Sequence, residues 1–264
     1  GYHRLFAHSA YRVHPGIEFI LLVFGAATFQ NSALKWTVDH RHHHSFVDTD
    51  RDPYNARKGF WWSHMGWILE VRSPAIDGPL VADLMKNRLV MWQDRNYYWV
   101  GIGVGFIVPL LIGFTQENLL GTLLLAGFAR TVLVHHATFS INSLCHMFGR
   151  QPYSDSNTAR DSWWVAFVSM GEGYHNFHHK FPSDYRNGVR WFHWDPTKWV
   201  VRGLEYLGLA DSLKRADATR ILRARVEMDE KRVLPRIENG STEAAAFYRE
   251  KFSAARRAFD DAVA

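Results

Sequence analysis

Histidine is concentrated in three short stretches of the chain, and its side chain is the commonest ligand of transition metals in proteins. The 264 residues include 15 histidines, and nine of them lie in these stretches. The stretches are GYHRLFAH at 1–8, DHRHHHSF at 39–46 and GEGYHNFHHKFP at 171–182. Because a neutral imidazole fills a core poorly but offers a lone pair to a metal, the three stretches predict metal binding.

The second and third stretches share the pattern HxxHH. Side chains three and four residues apart lie on one face of a helix, so each pattern predicts three imidazoles that point the same way. The two sets are His40, His43 and His44, and His175, His178 and His179. His42 points away from the shared face, and we do not expect it to bind a metal.

The first stretch has a different spacing. His3 and His8 are five residues apart, which corresponds to about 140° around an ideal helix. This pair must therefore either flank a shared site or bind through a distorted turn. The eight histidines of the three sets exceed the four to six ligands that one first-row metal takes, so a two-metal centre is predicted. All-nitrogen ligation suits zinc, copper, iron and nickel alike.

Besides His146, five further histidines lie outside the three stretches. We expect His14, His64 and His193 to have structural or interfacial roles, and His135 and His136 to lie at a membrane surface. That surface is indicated by two apolar segments. Residues 97–115 contain no charge, and 119–139 are apolar except for Arg130 and two histidines. They predict a transmembrane hairpin formed by 97–115 and about 118–139.

The apolar segment IEFILLVFGAATF at 17–29 is too short to span a bilayer, and it predicts an interfacial or buried helix. The hairpin is flanked by basic residues, whereas its connection holds Glu117 and no base. The positive-inside rule therefore places both outer flanks, and all three histidine stretches, in the cytoplasm. The only cysteine is Cys145, which suits a reducing compartment. The net charge of +5 comes from no single basic tract, and no nucleic-acid partner is expected.

These features predict an all-α integral membrane protein with a transmembrane hairpin and a cytoplasmic helical cap that carries a histidine-rich two-metal site. We expect residues 1–225 to form the membrane and catalytic domain and 226–264 a helical tail, with helices over 211–236 and 244–264. Because the first histidine stretch begins at position 3, we also expect membrane spans that precede it to be missing from this chain.

The chain resembles the membrane-bound fatty acyl desaturases, in particular the Δ9 stearoyl-CoA type in its bacterial form. The resemblance extends from residue 1 to about 225 and rests on HRLFAH, on FQNSALKWTVDHRHHHSFVDTDRDPYNARKGFWWSHMGWIL, on NSLCH and on GEGYHNFHHKFPSDYR. It implies a centre of two iron ions that uses O2 and two electrons to form a cis double bond. The implied ligands are His3, His8, His40, His43, His44, His146, His175, His178 and His179, with Asn142 acting through water.

The resemblance also implies substrate-binding residues. Gln30, Trp36 and Thr138 match the bend of a narrow acyl tunnel. Asn31, Asp39 and Arg72 match the headgroup region, where Val38 replaces an arginine of the acyl-CoA branch. We expect Arg57 and Lys58 to supply replacement charge together with Arg72. Acyl-CoA is favoured, and an acyl-lipid or acyl-carrier substrate is the alternative.

Carboxylates near the histidines are expected to orient the imidazoles by accepting their second N–H. The candidates are Asp39, Asp48, Asp50, Asp52, Glu172 and Asp184. Electrons must come from a separate reductase with ferredoxin, rubredoxin or a b-type cytochrome, which Arg186, Arg190 and Lys198 are expected to attract. Two alternatives remain open: another histidine-box membrane oxidase, such as a hydroxylase or ketolase, and a metal-binding membrane protein without catalysis.

Overall fold

A computed structural model describes residues 1–70, 78–238 and 242–262, and this part of the chain is predominantly helical. Arg72 lies outside the described residues. The helices are Tyr2–Ala7, Pro15–Ala26, Ala33–Phe46, Ala56–Lys58, Trp62–Gly66, Trp67–Glu70, Pro79–Val81, Ala82–Met85, Arg88–Thr115, Leu119–Met147, Trp163–Val168, His175–Lys180, Pro196–Tyr206, Ala218–Glu238 and Thr242–Ala262. Two short strands, Arg12–Val13 and Ala210–Asp211, pair antiparallel and were not predicted.

The two longest apolar helices form the predicted hairpin. Arg88–Thr115 has 28 residues and Leu119–Met147 has 29, and both exceed the roughly 20 residues that span a bilayer. At the turn they match the predicted 97–115 and 118–139 to within one residue, but the first begins before 97 and the second ends after 139, because each helix continues past its apolar part on the side of the cap. The helices approach closely near the turn, where a Cβ on Gly113 would lie 2.6 Å from Oγ1 of Thr122.

The short apolar helix Pro15–Ala26 packs along the hairpin. Its Leu22 and Ala26 are buried, whereas Phe19 and Phe24 are exposed, as expected for a helix with one buried face. The residue that follows this helix is the partner of the arginine in the second spanning helix. Arg130 donates from Nη1 to the carbonyl oxygen of Ala27 at 2.9 Å, so its charge is used in helix packing.

The cap is held by apolar clusters that join distant parts of the chain. One contains Phe6, Leu34 and Val90, and thereby fixes the first two histidine stretches to the base of the hairpin. Another joins Phe177 of the third stretch to Ala224 of the helix Ala218–Glu238. The proposed boundary at 225 falls within that helix and stays a prediction.

The C-terminal helices differ slightly from the predicted ranges. The first begins at Ala218 rather than 211 and continues through Pro235 to Glu238. A proline removes the hydrogen bond to the carbonyl four residues earlier, but residue 231 is exposed, so water can satisfy that carbonyl. The last helix, Thr242–Ala262, lies close to the predicted 244–264.

Candidate metal centre

The first histidine pair lies on a π-helix, which is the distorted turn that its spacing allows. Tyr2–Ala7 has π-helical geometry, and the N–H of His8 donates to the carbonyl of His3 at 3.2 Å. This hydrogen bond between residues five apart replaces the usual bond between residues four apart. Because the turn is wider, both side chains face the same side, with ring centroids 5.0 Å apart.

The second stretch forms the C-terminal half of the helix Ala33–Phe46. Ser32 caps the start of this helix by accepting the N–H of Lys35 at 3.3 Å. His40, His43 and His44 face the metal centre, whereas His42 lies beside the ring of Phe46 at 4.8 Å. His42 is therefore turned away from the site, as its position in the pattern indicates.

The third stretch is placed by close backbone packing. A Cβ on Gly173 would lie 2.1 Å from the backbone nitrogen of Ala166, so only glycine fits where the stretch crosses the helix Trp163–Val168. The short helix His175–Lys180 follows, and Asp161 accepts the N–H of Phe177 at 3.0 Å near its start. Burial raises the pKa of Asp161 to about 7, and the backbone N–H groups of Phe177 and Asn176 offset the loss of solvent only in part.

The nine predicted histidines converge in two clusters and one bridging residue. In each cluster the ligand atoms lie within 4.8 Å of one another. The first cluster is His3, His8, His40 and His178, and the second is His43, His146, His175 and His179. His44 lies between them: its Nε2 is 3.0 Å from Nε2 of His178, and its ring stacks on His179 at 4.4 Å.

The distances between these imidazoles fit bound metal ions. Nε2–Nε2 separations are 2.8 Å for His8 and His40, 3.0 Å for His3 and His178, and 3.1 Å for His146 and His175. Adjacent nitrogen ligands of an octahedral ion with bonds of about 2.1 Å lie about 3 Å apart, so each cluster can surround one ion. Without an ion, each pair could be accommodated only if one Nε2 carried a proton and donated it to the other.

The charge state of the imidazoles also suits metal binding. Burial, reinforced by neighbouring imidazoles, lowers the pKa of six histidines well below the ordinary value, so that they are neutral and keep a lone pair. These six are His8, His40, His44, His175, His178 and His179.

Three of the six candidate carboxylates interact with the Nδ1 atoms of the imidazoles, two directly and one through a hydroxyl group. Oε2 of Glu172 lies 2.6 Å from Nδ1 of His3, and Oδ1 of Asp52 lies 2.9 Å from Nδ1 of His43. Asp48 acts through a hydroxyl, since it accepts from Thr158 Oγ1 at 2.6 Å and Thr158 lies 2.8 Å from Nδ1 of His146. Such contacts hold the proton on Nδ1 and turn Nε2 toward the metal.

The other three candidates have different surroundings. Asp184 accepts from Arg186 at 2.8 Å, Asp50 is exposed, and Asp39 lines a cavity described below. Glu172 itself is held by a buried guanidinium, because Arg4 donates to its Oε1 at 3.0 Å. Burial alone would raise the pKa of Glu172, but Arg4 and His3 outweigh burial and hold the pKa well below its ordinary value.

Two cavities meet beside the metal clusters. Their volumes are about 480 Å³ and 400 Å³. They share the lining residues Gln30, Trp36, His40, Thr138 and Asn142. At the junction Gln30 Nε2 donates to Thr138 Oγ1 at 3.1 Å, and the indole of Trp36 stacks on His40 at 4.8 Å. The two cavities therefore adjoin each other next to the first cluster.

The first cavity has an apolar inner wall that includes Leu21, Phe24 and Val134. The second is lined by Asn31 and Asp39, two of the residues implied for the headgroup, and by Trp67 and Ile68. Arg57 and Lys58 are exposed on the surface, and Lys58 lies over the ring of Trp62 at 4.7 Å. Val38 is buried in the apolar cluster around Phe6, so this position does not line the described cavities.

One pair of histidines was missed by the sequence analysis. Nε2 of His64 lies 3.0 Å from Nδ1 of His136, and Nδ1 of His64 lies 2.9 Å from Oγ of Ser143. The two positions are 72 residues apart, so no local spacing could reveal the pair. The other isolated histidines have structural contacts, as expected: His14 accepts the N–H of Gly16, and His193 stacks on Tyr174.

The chain is similar to known desaturases along most of its length. A family model described as fatty acid desaturase matches residues 1–210. Acyl-CoA desaturase 1 of Saccharomyces cerevisiae is 41% identical over 235 residues, which cover 88% of this chain and 46% of that protein. The probable acyl-CoA desaturase of Schizosaccharomyces pombe is 42% identical over 233 residues, covering 88% and 49%. Stearoyl-CoA desaturase of Homo sapiens is 36% identical over 229 residues, covering 84% and 64%.

The match includes all three histidine stretches, NSLCH and the hairpin. The chain therefore belongs to the fatty acid desaturase family. It spans about half the length of the two yeast relatives. Family membership, together with two helices long enough to cross a bilayer, identifies it as a membrane protein with a candidate metal centre.

Proposed function

We propose that this protein is an O2-dependent fatty acyl desaturase that introduces a cis double bond, at Δ9, into a saturated acyl-CoA. The observation that carries the proposal is the position of the two histidine clusters at the junction of two adjoining cavities. The substrate class comes from the relatives, which are acyl-CoA and stearoyl-CoA desaturases by name.

In this proposal each cluster holds one iron ion, with His44 completing the set of ligands and Asn142 acting through water. Bound iron would supply the redox chemistry that activates O2 against an unactivated methylene, which zinc does not provide. The chain contributes neutral imidazoles and the carboxylates that orient them. Because the ligands carry no charge, the centre retains the full positive charge of its metal ions.

The two cavities would hold opposite ends of the substrate. The methyl end would occupy the apolar first cavity, whose volume of about 480 Å³ lies in the usual range for ligand pockets. The thioester end would leave through the second cavity past Asn31 and Asp39. Gln30 and Thr138 would hold the chain bent where it passes His40, so that one pair of adjacent carbons faces the metals. A bent path favours a cis product.

The headgroup region is the part of the site that differs most from the acyl-CoA branch of the family. Val38 takes the place of an arginine of the acyl-CoA branch and lies in the apolar core, which favours an acyl-lipid substrate as the second candidate. Arg57, Lys58 and Arg72 are proposed to contribute the missing charge. Loss of acyl-CoA affinity on replacing all three by glutamine would support the CoA substrate, and unchanged affinity would favour the lipid.

We further propose that the protein lies in a bacterial inner membrane with its cap in the cytoplasm, as the basic residues that flank the hairpin indicate. A separate ferredoxin, rubredoxin or b-type cytochrome would deliver the electrons. Among the three bases expected to attract it, Lys198 is unsuitable, since its Nζ is turned inward and donates to the carbonyls of Gly188 and Arg190 at 2.6 Å. Arg190 is exposed, and Arg186 is paired with Asp184.

The experiment is expression of the protein in a host that supplies a reductase, followed by fatty acid and metal analysis. New cis-Δ9 monoenes and two irons per chain are expected. In His43→Gln the monoenes should be lost and the iron content should fall to about one per chain, since His43 belongs to the second cluster only. His42→Gln is the matched control on the same helix and should retain both. Hydroxylated or keto products would assign another histidine-box oxidase, and bound zinc with unchanged lipids would leave a metal-binding protein without catalysis.

A further inference from the structure

The cap carries a surface of exposed aromatic side chains, which we call the aromatic surface. It is formed by the helix Trp163–Val168 and by residues 191–207. Its most prominent members are Trp163, Phe167, Trp191, Phe192, Trp199 and Tyr206. Trp191 is 85% exposed and Tyr206 is 91% exposed. A contiguous exposed patch of this kind marks a surface that contacts another molecule or a membrane.

The two parts of the aromatic surface are joined to each other. The rings of Phe167 and Trp194 lie 5.1 Å apart, and the indole N–H of Trp194 donates to the carbonyl of Phe167 at 3.3 Å. Thr197 donates to the carbonyl of Met170 at 3.2 Å. These contacts hold the helix Trp163–Val168 and the start of the helix Pro196–Tyr206 as one face.

The hairpin fixes the height of this face relative to a bilayer. Counting about 20 residues from the turn at Leu119 gives a hydrocarbon boundary close to residue 139. Val134 and Ile141, on either side of that boundary, line the first cavity together with Val168 and Met170. The aromatic surface continues directly from Val168, so it begins at the level where the second spanning helix leaves the bilayer.

The first spanning helix gives the same level independently. The exposed rings of Tyr98 and Trp99 lie 17 and 16 residues before Thr115, within one helical turn of the boundary that about 20 residues would give. Aromatic side chains of this kind typically collect at the boundary between lipid and water. Both helices therefore place the boundary where they meet the cap.

The composition of the aromatic surface fits a lipid headgroup region. On the helix Pro196–Tyr206, Trp199, Val200 and Tyr206 are exposed while Val201 is buried, so the apolar side of this helix faces outward. Two exposed arginines lie beside it, Arg190 and Arg202, and Arg202 is paired with Glu205 of the same helix. Tryptophan and tyrosine next to arginine are typical of helices that lie in the plane of an anionic membrane surface.

We propose that the aromatic surface lies in the interfacial layer of the membrane, in contact with anionic lipid, as an attachment additional to the hairpin. It extends the contact of the cap sideways from the second spanning helix. The wall of the first cavity at Val168 and Met170 then faces lipid and is shielded from water.

The test is spin labelling of single exposed positions in the intact protein, reconstituted into vesicles of phosphatidylcholine and phosphatidylglycerol. Phe192→Cys and Tyr206→Cys place the label on the aromatic surface, and Glu227→Cys places it on an exposed helical position of the cap. The native Cys145 is fully buried and stays unlabelled. Relaxation by dissolved O2 is compared with relaxation by a water-soluble nickel chelate.

Labels at 192 and 206 should be relaxed several-fold more by O2 than by nickel, and the label at 227 should show the reverse. Nickel access at 192 and 206 equal to that at 227 would overturn the proposal. Protection from nickel that appears only after adding an acidic ferredoxin or rubredoxin would also overturn it, and would assign the surface to a protein partner. The measurement requires neither bound metal nor enzymatic activity, so its outcome does not depend on whether the proposed reaction is correct.

Discussion

His3 and Glu172 lie in contact although they belong to the first and third histidine stretches, with Nδ1 of the imidazole 2.6 Å from Oε2 of the carboxylate. The neighbour of His3, Arg4, binds the other oxygen of the same carboxylate. Arg4 also donates to the buried Asp195 at 3.0 Å, and Asn187 donates to Glu172. The ring of His3 is therefore oriented by a network that extends well beyond the metal site.

Glu172→Gln should weaken metal binding at the first cluster. The amide retains the shape of the side chain but removes the negative charge that orients the imidazole of His3, and loss of such a partner typically lowers metal affinity 10–100-fold. After dialysis against a chelator, elemental analysis should find about one iron per chain rather than two. Glu227→Gln, an exposed change of the same type, should retain two, and two irons in Glu172→Gln would contradict the role given to this carboxylate.

Asp52→Asn should have the complementary effect on the second cluster. Asp52 is buried, and besides its contact with His43 it accepts the N–H groups of Asp48 and Tyr54 at 3.0 and 3.2 Å. The asparagine can keep only part of these contacts, and the ring of His43 loses its charged partner. One iron per chain is again expected, and the double variant with Glu172→Gln should bind none. If the double variant kept one iron, the two carboxylates would not act on separate clusters.

Val134→Phe should shorten the acyl chains that the protein accepts. Val134 lines the first cavity, so a larger side chain fills part of the volume assigned to the methyl end, and overpacking of this kind typically costs about 1–3 kcal/mol. Turnover of the longest substrates should fall roughly 10-fold or more relative to shorter ones. Product chain lengths from lipid extracts provide the measurement. Val132→Phe lies two residues away on the exposed side of the same helix and should leave the product profile unchanged.

Asp161 should make the metal-free protein less stable as the pH rises. Its pKa is about 7 in the folded chain against an ordinary 3.8, so between these values the unfolded chain binds fewer protons and stability falls with increasing pH. Below pH 3.8 this loss of stability is absent, and above about pH 7 it is complete. Asp161→Asn cannot ionise and keeps an oxygen for the N–H of Phe177.

The melting temperature of the detergent-solubilised, metal-depleted protein tests this prediction between pH 5 and pH 8. The native protein should lose roughly 3–8 °C more than Asp161→Asn over this range, since 1 kcal/mol corresponds to a few degrees in chains of this size. Parallel pH curves for the two proteins would show that Asp161 does not titrate differently on folding.

Much of the site followed from the sequence because its geometry is local. In the HxxHH patterns the spacing alone sets the helix face, and the structure has His40, His43 and His44 on one side with His42 turned away. The hairpin and its turn were also predictable, but the ends of its helices in the cap were not. Hydropathy reports the part of a helix that meets lipid, whereas backbone hydrogen bonds continue the second helix to Met147 and carry Asn142 and His146 into the cap.

Other parts of the site depend on contacts between segments that are distant in the sequence, so the spacing of residues does not reveal them. The π-helical turn of Tyr2–Ala7 joins His3 to His8 only because the cap packs around it, and propensity gives no sign of so rare a turn. The pairing of His64 with His136 joins two distant segments. His146 came from the resemblance to the desaturases and not from its neighbours. The assignment of carboxylates likewise needed the folded chain, since Asp48 reaches His146 only through Thr158.

The tight connection at the end of the hairpin leaves almost all of this part of the chain either within the membrane or on the side of the cap. Between Arg88 and Met147, only Gln116, Glu117 and Asn118 separate the two spanning helices. For this part of the chain, a protease, antibody or impermeant reagent on the far side of the membrane would meet little more than three residues. For this part of the chain, degradation, chemical modification and the exchange of metal would consequently take place from the side of the cap.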